Sequence, residues 1–301
     1  MMLTAEPALM TGPYDWHEQT APRAVFAARL ARVWAEAAGD DEIVLVHGDR
    51  AEFAMLAWVS HFTPKLGPAL AVFSRDLAPE LLFSGGAGMA ESARRLTWIG
   101  AVRACSDPAR DLAGLAGRRV ALLGAAALTR GLRQAILAAV GPGGRVRVID
   151  DAVLAWRRRK DGCEIARIRE AARALGAFGA AVGGGRIDAV RAAHAAGAQE
   201  VRTARVASGL HVAVRAGLYW ARGWLGAGDL AALDRLCAGV RPGMVLAGGQ
   251  VGGIGLSLDE PPGPGARLVA GDVVVLRLGG VSAMVLVGVD GPETLWRSPG
   301  G

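Results

Sequence analysis

Few side chains in this chain are spaced for chemistry. Of its five histidines, His47, His61 and His194 are far apart and form no HxH or HxxxH pair, the spacing that would set two imidazoles on one metal. His211 follows Ser208-Gly209 and has no potential ligand beside it. The densest set lies toward the C-terminus. There Asp259-Glu260 precede Pro261-Pro262, and Arg277 ends the apolar run Val273-Val-Val-Leu-Arg277. Two neighbouring carboxylates and a guanidinium could do acid–base or electrostatic work on a small polar molecule. Each also has a plainer account. Asp-Glu-Pro-Pro suits a turn with two solvated carboxylates, His211 an ordinary core or surface residue, and Arg277 a strand end whose side chain reaches solvent. Gly252-Gly253-x-Gly255 superficially matches a dinucleotide loop, but no Rossmann strand precedes it, no helix follows and no distal acid is in place.

These residues sit in a stretch that organises the chain, Val240 to Gly280. It opens on Arg241-Pro242-Gly243 after an apolar-periodic helix over Asp229–Val240, and it closes on the strand Val273–Arg277. Upstream, strands alternate with helices, as in an α/β domain. Helix is expected over Ala24–Ala38, Ala51–Val59, Met89–Leu96 and Thr129–Val140. Strand is expected over Glu42–Val46, Pro68–Phe73, Glu80–Phe83, Arg119–Leu123 and Val146–Ile149. Residues 1–20 form an irregular lead. A composition shift at Trp156-Arg-Arg-Arg-Lys160 marks a boundary, giving domains over 1–155 and 156–301. Past it come an amphipathic helix, a second helix over Ala189–Ala196 and a strand over Val201–Ala207.

Composition narrows the class. Apolar residues make up 52% and the mean hydropathy is +0.30, yet the longest apolar runs, Val120–Leu128 and Ala283–Val289, fall short of the roughly 20 residues that span a bilayer. With no basic leader, the expectation is a cytoplasmic protein with no membrane partner. Three widely spaced cysteines, Cys105, Cys163 and Cys237, suit a reducing compartment. A net charge of +6 permits an acidic partner. The basic run at Trp156–Lys160 is expected to be a solvated helix end or linker rather than a nucleic-acid grip, since no nucleic-acid-binding motif accompanies it.

The chain resembles the creatinase, Xaa-Pro aminopeptidase and methionine aminopeptidase superfamily, the pita-bread fold. The resemblance rests on Val251-Gly-Gly-Ile-Gly-Leu256 against the family's Gly-His-Gly-Ile-Gly-Leu, and on Asp259-Glu260-Pro-Pro262 against His-Glu-x-Pro. It also rests on Gly271-Asp-Val-Val-Val-Leu-Arg-Leu-Gly279 against Gly-Met-Val-x-x-x-Glu-Pro-Gly. Lys160, Glu164, Ile165 and Arg169 to Ala172 resemble the family's entry helix. His47-Gly-Asp-Arg, Phe53, Trp58 and Phe62-x-Pro64 look like its non-catalytic N-terminal domain. The fold implied is an α/β N-terminal creatinase-like domain followed by a shortened α+β pita-bread domain.

The family's hydrolases hold paired divalent metals with two Asp, one His and two Glu, which polarise a carbonyl and activate a bridging water. The same comparison puts Gly252 on the His, Arg277 on the first Glu and Ser282 or Ala283 on the last. Between Ala189 and Gly228, where both Asp belong, the only carboxylate is Glu200. Leu218–Gly226 looks like a shortened remnant of the ribbon that carries them. The resemblance therefore implies a degenerate member with no metal and no cofactor. Such a protein is expected to be non-catalytic, to pair as a homodimer because family relatives commonly pair, and to bind a small amino-acid-like or peptide-like ligand or a protein partner, since other degenerate members keep the fold as a recognition module. Arg277 is then expected to project into the vacated centre and pair with Asp259 or Glu260, with His211 nearby. Two alternatives stay open: a metal-free enzyme using these groups on a small amino-acid-like substrate, and a metal-dependent aminopeptidase or dipeptidase whose ligands lie elsewhere.

Overall fold

A computed structural model of the chain describes residues 15–245, 251–256, 260, 262 and 265–299. Residues 1–14 of the expected N-terminal lead, and Asp259 and Pro261, lie outside the described residues. The chain divides into two compact units, with the division between Leu154 and Ala155. Among the described residues no helix is long and apolar enough to cross a membrane.

The first unit contains α1 (Arg23–Glu36), β1 (Ile43–Gly48), α2 (Ala54–Ser60), β2 (Ala69–Phe73), β3 (Glu80–Phe83), α3 (Ala90–Arg94), β4 (Ala101–Ala104), α4 (Pro108–Asp111), β5 (Arg119–Leu123), α5 (Arg130–Val140) and β6 (Arg145–Val148). Its sheet runs β4-β3-β2-β1-β5-β6, parallel at β3–β4, β1–β5 and β5–β6 and antiparallel in between. β1 is buried along its whole length, as a central strand covered on both faces must be. Thr129 caps α5 by accepting from Leu132 N, and Ile136, Ala139 and Val140 present the helix's apolar stripe to Val120 and Leu122. The helix expected from Ala51 begins at Ala54, and the one expected over Met89–Leu96 is a 3-10 turn followed by the short α3. β4 is a strand with no counterpart among the sequence expectations.

Beyond α6 (Asp150–Arg157) follow α7 (Gly162–Ala181), α8 (Arg186–Ala195), β7 (Glu200–Val206), β8 (Gly209–Ala216), β9 (Tyr219–Leu225), α9 (Leu230–Ala238), β10 (Val251–Gly253), β11 (Val273–Leu278), β12 (Val281–Val287) and β13 (Pro292–Arg297). The strands form two antiparallel sheets, β7-β8-β9 and β10-β11-β12-β13. α7 starts on a capping box, with Asp161 accepting from Glu164 N and the Glu164 side chain accepting from Asp161 N. Its buried residues, Ile168, Ala171, Ala172, Leu175 and Phe178, recur at helical spacing. The small ones let the helix lie close against β8 and β9. α9, capped by Asp229, seats Leu233 and Cys237 on Val274, Leu276, Ala283 and Val285. The other face of β11 and β12 therefore points away from α9, and that face carries the positions of interest.

Candidate functional site

Three positions given by the resemblance lie on one face of the second sheet. Gly252 pairs with Val275, Arg277 pairs with Ser282, and Val275 and Arg277 are alternate residues of β11. Directly opposed residues share a face, as do alternate ones, so Gly252, Val275, Arg277, Ser282 and Met284 look the same way. The chain thus brings together the positions that the motif comparison assigns to the His and both Glu. None of the three supplies a carboxylate or an imidazole.

The first sheet meets this face at Trp224. The Trp224 N–H donates to Ser282 Oγ at 2.7 Å, and Ser298 Oγ donates to Trp224 O at 2.6 Å while accepting from Ser282 N at 2.9 Å. Ser282 is fully buried and its oxygen already accepts a backbone N–H. The Arg277 guanidinium carbon lies 4.8 Å from the centre of the Trp224 ring. Its Nη2 donates to Ser208 Oγ and its Nε to Gly279 O at 2.9 Å. The expected pairing of Arg277 with Glu260 is not what the structure has. Arg277 turns along its own face to the aromatic ring, and Glu260 is engaged elsewhere.

His211 does reach this corner. It sits on β8 opposite Trp224, with ring centroids 4.6 Å apart. The same face of the ribbon carries Glu200, Arg202, Arg215, Trp220 and Arg222. Arg202 lies 4.6 Å and Arg215 5.8 Å from the Trp220 ring, and Arg222 lies 6.0 Å from that of Trp224. Glu200 accepts from Arg202 at 2.6 Å and from Arg215 at 3.1 Å. Burial alone would push the Glu200 carboxyl up, but these two guanidinium groups outweigh it and hold the carboxyl below its ordinary range. Sequence reasoning found His211 and Arg277 but not the arginine–tryptophan ladder, whose signal was the alternation Trp220-x-Arg222-x-Trp224 on one strand.

Glu260 is neither a solvated turn residue nor a group open to a pocket. It is 4% exposed. Arg157 donates to one carboxylate oxygen and Lys160 to the other, and Leu256 N adds a bond of 2.9 Å. The basic run Trp156–Lys160 is accordingly not a solvated linker. Arg157 and Lys160 are buried with Glu260, and Arg158 donates to the fully buried Asp272 at 2.8 Å. These ion pairs fasten the end of α6 to the segments around β10 and β11, and they engage three of the run's four basic side chains, Arg157, Arg158 and Lys160.

The fit of this face to a pair of divalent metals follows from its donors. Oxygen and nitrogen ligands have to converge at about 2.0–2.2 Å on a zinc-like ion. Here the matching positions offer no side chain at Gly252, a guanidinium at Arg277 and a hydroxyl already accepting a hydrogen bond at Ser282. A guanidinium stays charged in proteins and repels a dication. Among the described residues no three His, Cys, Asp or Glu side chains form a group that could hold an ion. The residues at these positions do not fit the dinuclear centre of the family's hydrolases.

No family model matches the chain, and no curated protein matches it in sequence. Among solved structures it is similar to the prolidase from Pyrococcus furiosus, with 14% identity, 91% of this chain and 100% of that one covered and a TM-score of 0.69. It is similar also to the prolidase from Pyrococcus horikoshii OT3, with 12% identity, coverage of 91% and 98% and a TM-score of 0.71. The X-Pro aminopeptidase from Thermotoga maritima MSB8 gives 17% identity, coverage of 91% and 98% and a TM-score of 0.70. At these identities the likeness is one of fold, and site residues have to be judged one at a time. The chain has the pita-bread fold of the prolidases and Xaa-Pro aminopeptidases.

Proposed function

We propose that this chain is a non-catalytic binding protein built on the prolidase fold, one that has given up the paired-metal centre and uses the remaining face to bind a small amino-acid-like or peptide-like ligand. One observation carries this reading: Arg277 stands directly across from Ser282, with Gly252 on the same sheet face, at the three positions where the family motifs have His and Glu. Replacing carboxylates by a guanidinium reverses the sign of the local charge, so the polarised carbonyl and bridging hydroxide of metal-assisted hydrolysis have no support from these side chains. Burial of Glu260 between Arg157 and Lys160 weighs against the metal-free enzyme, because a carboxylate held out of water by two cations is poorly placed to exchange a proton with a ligand.

The deciding experiment is metal analysis of protein produced in medium supplemented with manganese, cobalt and zinc, together with an assay of Xaa-Pro dipeptide hydrolysis in excess manganese. Substoichiometric metal and no hydrolysis are expected. Stoichiometric metal with hydrolysis would restore the peptidase reading.

A further inference from the structure

We infer that the corner formed by Arg277, Trp224, His211 and Arg222 is an oxyanion site, which takes the carboxylate or phosphate group of a small ligand at the face where the fold's hydrolases hold cations. The inference rests on the reading that the metal pair is gone, and it names the ligand chemistry of that same face.

Arg277 is half-buried, and its partners among the described residues are a serine hydroxyl, a backbone carbonyl and an aromatic ring, all neutral. A guanidinium has five N–H donors in a planar fork, and two of Arg277's are used in these bonds. A charge drawn partly out of water with no counter-ion is costly unless an anion completes it. From Ala189 to Gly228 the only carboxylate is Glu200, and Arg202 and Arg215 share it.

The geometry suits a two-pronged acceptor. The Trp224 ring underlies the guanidinium at 4.8 Å, and the bonds to Ser208 and Gly279 fix its rotation, so the fork is preorganised. Arg222 and His211 flank the same ring, at 6.0 Å and 4.6 Å, and place a second guanidinium and an imidazole beside it. Arginine recognises planar carboxylates and phosphates through paired N–H bonds of this kind. The half-buried indole beside it offers an apolar surface to whatever carries the oxyanion.

The test is calorimetric titration of the full chain with inorganic phosphate, acetate, benzoate and manganese, each at constant ionic strength. Saturable binding of at least one of the three oxyanions is expected, weakened about tenfold or more in Arg277→Gln, the range for loss of a charge-assisted pair. The same constant should be unchanged in Arg169→Gln, whose arginine pairs with Glu293 on the surface. Benzoate bound more tightly than acetate or phosphate would assign a carboxylate on an aromatic or apolar body, and phosphate alone a phosphoryl group. If Arg277→Gln does not fold, Arg277→Lys, which keeps the charge and loses the fork, should weaken binding at least about threefold. No response to any oxyanion, or an unchanged constant in the Arg277 variants, overturns the proposal. Stoichiometric manganese uptake by the wild type would remove the reading beneath it. Uptake of neither manganese nor an oxyanion would leave that reading standing and sink this one.

Discussion

Lys160 and Glu260, a hundred residues apart, form an ion pair in which each side chain is 1% exposed, and Arg157, 3% exposed, takes the other oxygen of the same carboxylate. Two cations on one buried anion are tolerable only while the anion stays. Neutralising it leaves two desolvated positive charges facing each other. Glu260→Gln is therefore expected to lower unfolding free energy by about 3–5 kcal/mol, the range for breaking a buried pair from one side. Urea denaturation of wild type and variant measures it, and a loss below about 1 kcal/mol would mean that water reaches the group in solution.

Gly255 lies against this triad. A Cβ there would sit 2.5 Å from Glu260 Oε2 and 2.8 Å from Lys160 Nζ. Those atoms end flexible side chains, but here both are held by the ion pair and cannot swing away. Gly255 O also accepts from Trp220 N at 2.8 Å, which ties the loop backbone to β9. Gly255→Ala should cost about 1–3 kcal/mol, as overpacking does. In a Glu260→Gln background the cost should shrink, since the obstructing pair is already loosened. Equal costs in both backgrounds would show that the triad is not what demands glycine.

On β9, Gly223 has the six-membered ring of Trp296 where its Cβ would stand, and Ser282 Oγ at 3.2 Å. Gly223→Ala should be destabilising by roughly 1–3 kcal/mol, with most of that cost removed when Trp296→Leu is present. A double-mutant cycle read by thermal denaturation checks it. Coupling below about 0.5 kcal/mol would place the strain elsewhere.

Legibility in the sequence tracks how local each signal is. β1, β2, β3 and β5 are readable because each is a short, largely apolar run bounded by turn residues, β6 because Val146 and Val148 alternate with arginines after the Gly-Pro-Gly-Gly turn, and α5 and α9 announce themselves through Thr129 and Asp229 at their caps. β4 escapes because Ala101-Val-Arg-Ala104 buries only Val102 fully and carries no β-branched run. The segment from Trp156 to Lys160 reads as solvent-facing because its partners, Glu260 and Asp272, lie 100 and 114 residues further along the chain. Arg277 could be placed by the glycines at 271 and 279. Its direction could not, since it depends on Ser208 and Trp224 in a ribbon that the sequence presents only as a remnant.

Glu200 gives the site face a pH signature with a definite sign. Its carboxyl is held below the ordinary value of 4.5 because Arg202 and Arg215 outweigh the effect of burial. The unfolded chain therefore binds this proton more readily than the folded one, and stability rises with pH across the interval between the two values. The group's contribution is fully present above 4.5 and is lost as pH falls through the lowered folded value. In Glu200→Gln that contribution is missing at every pH. The stability gap between wild type and variant should accordingly be level above 4.5 and close as the solution is made more acid. Urea denaturation of both proteins at a series of pH values measures the gap. If it holds constant or widens on acidification, the arginines do not stabilise the ionised carboxylate, and the ladder on the ribbon face is weaker in solution than its distances indicate.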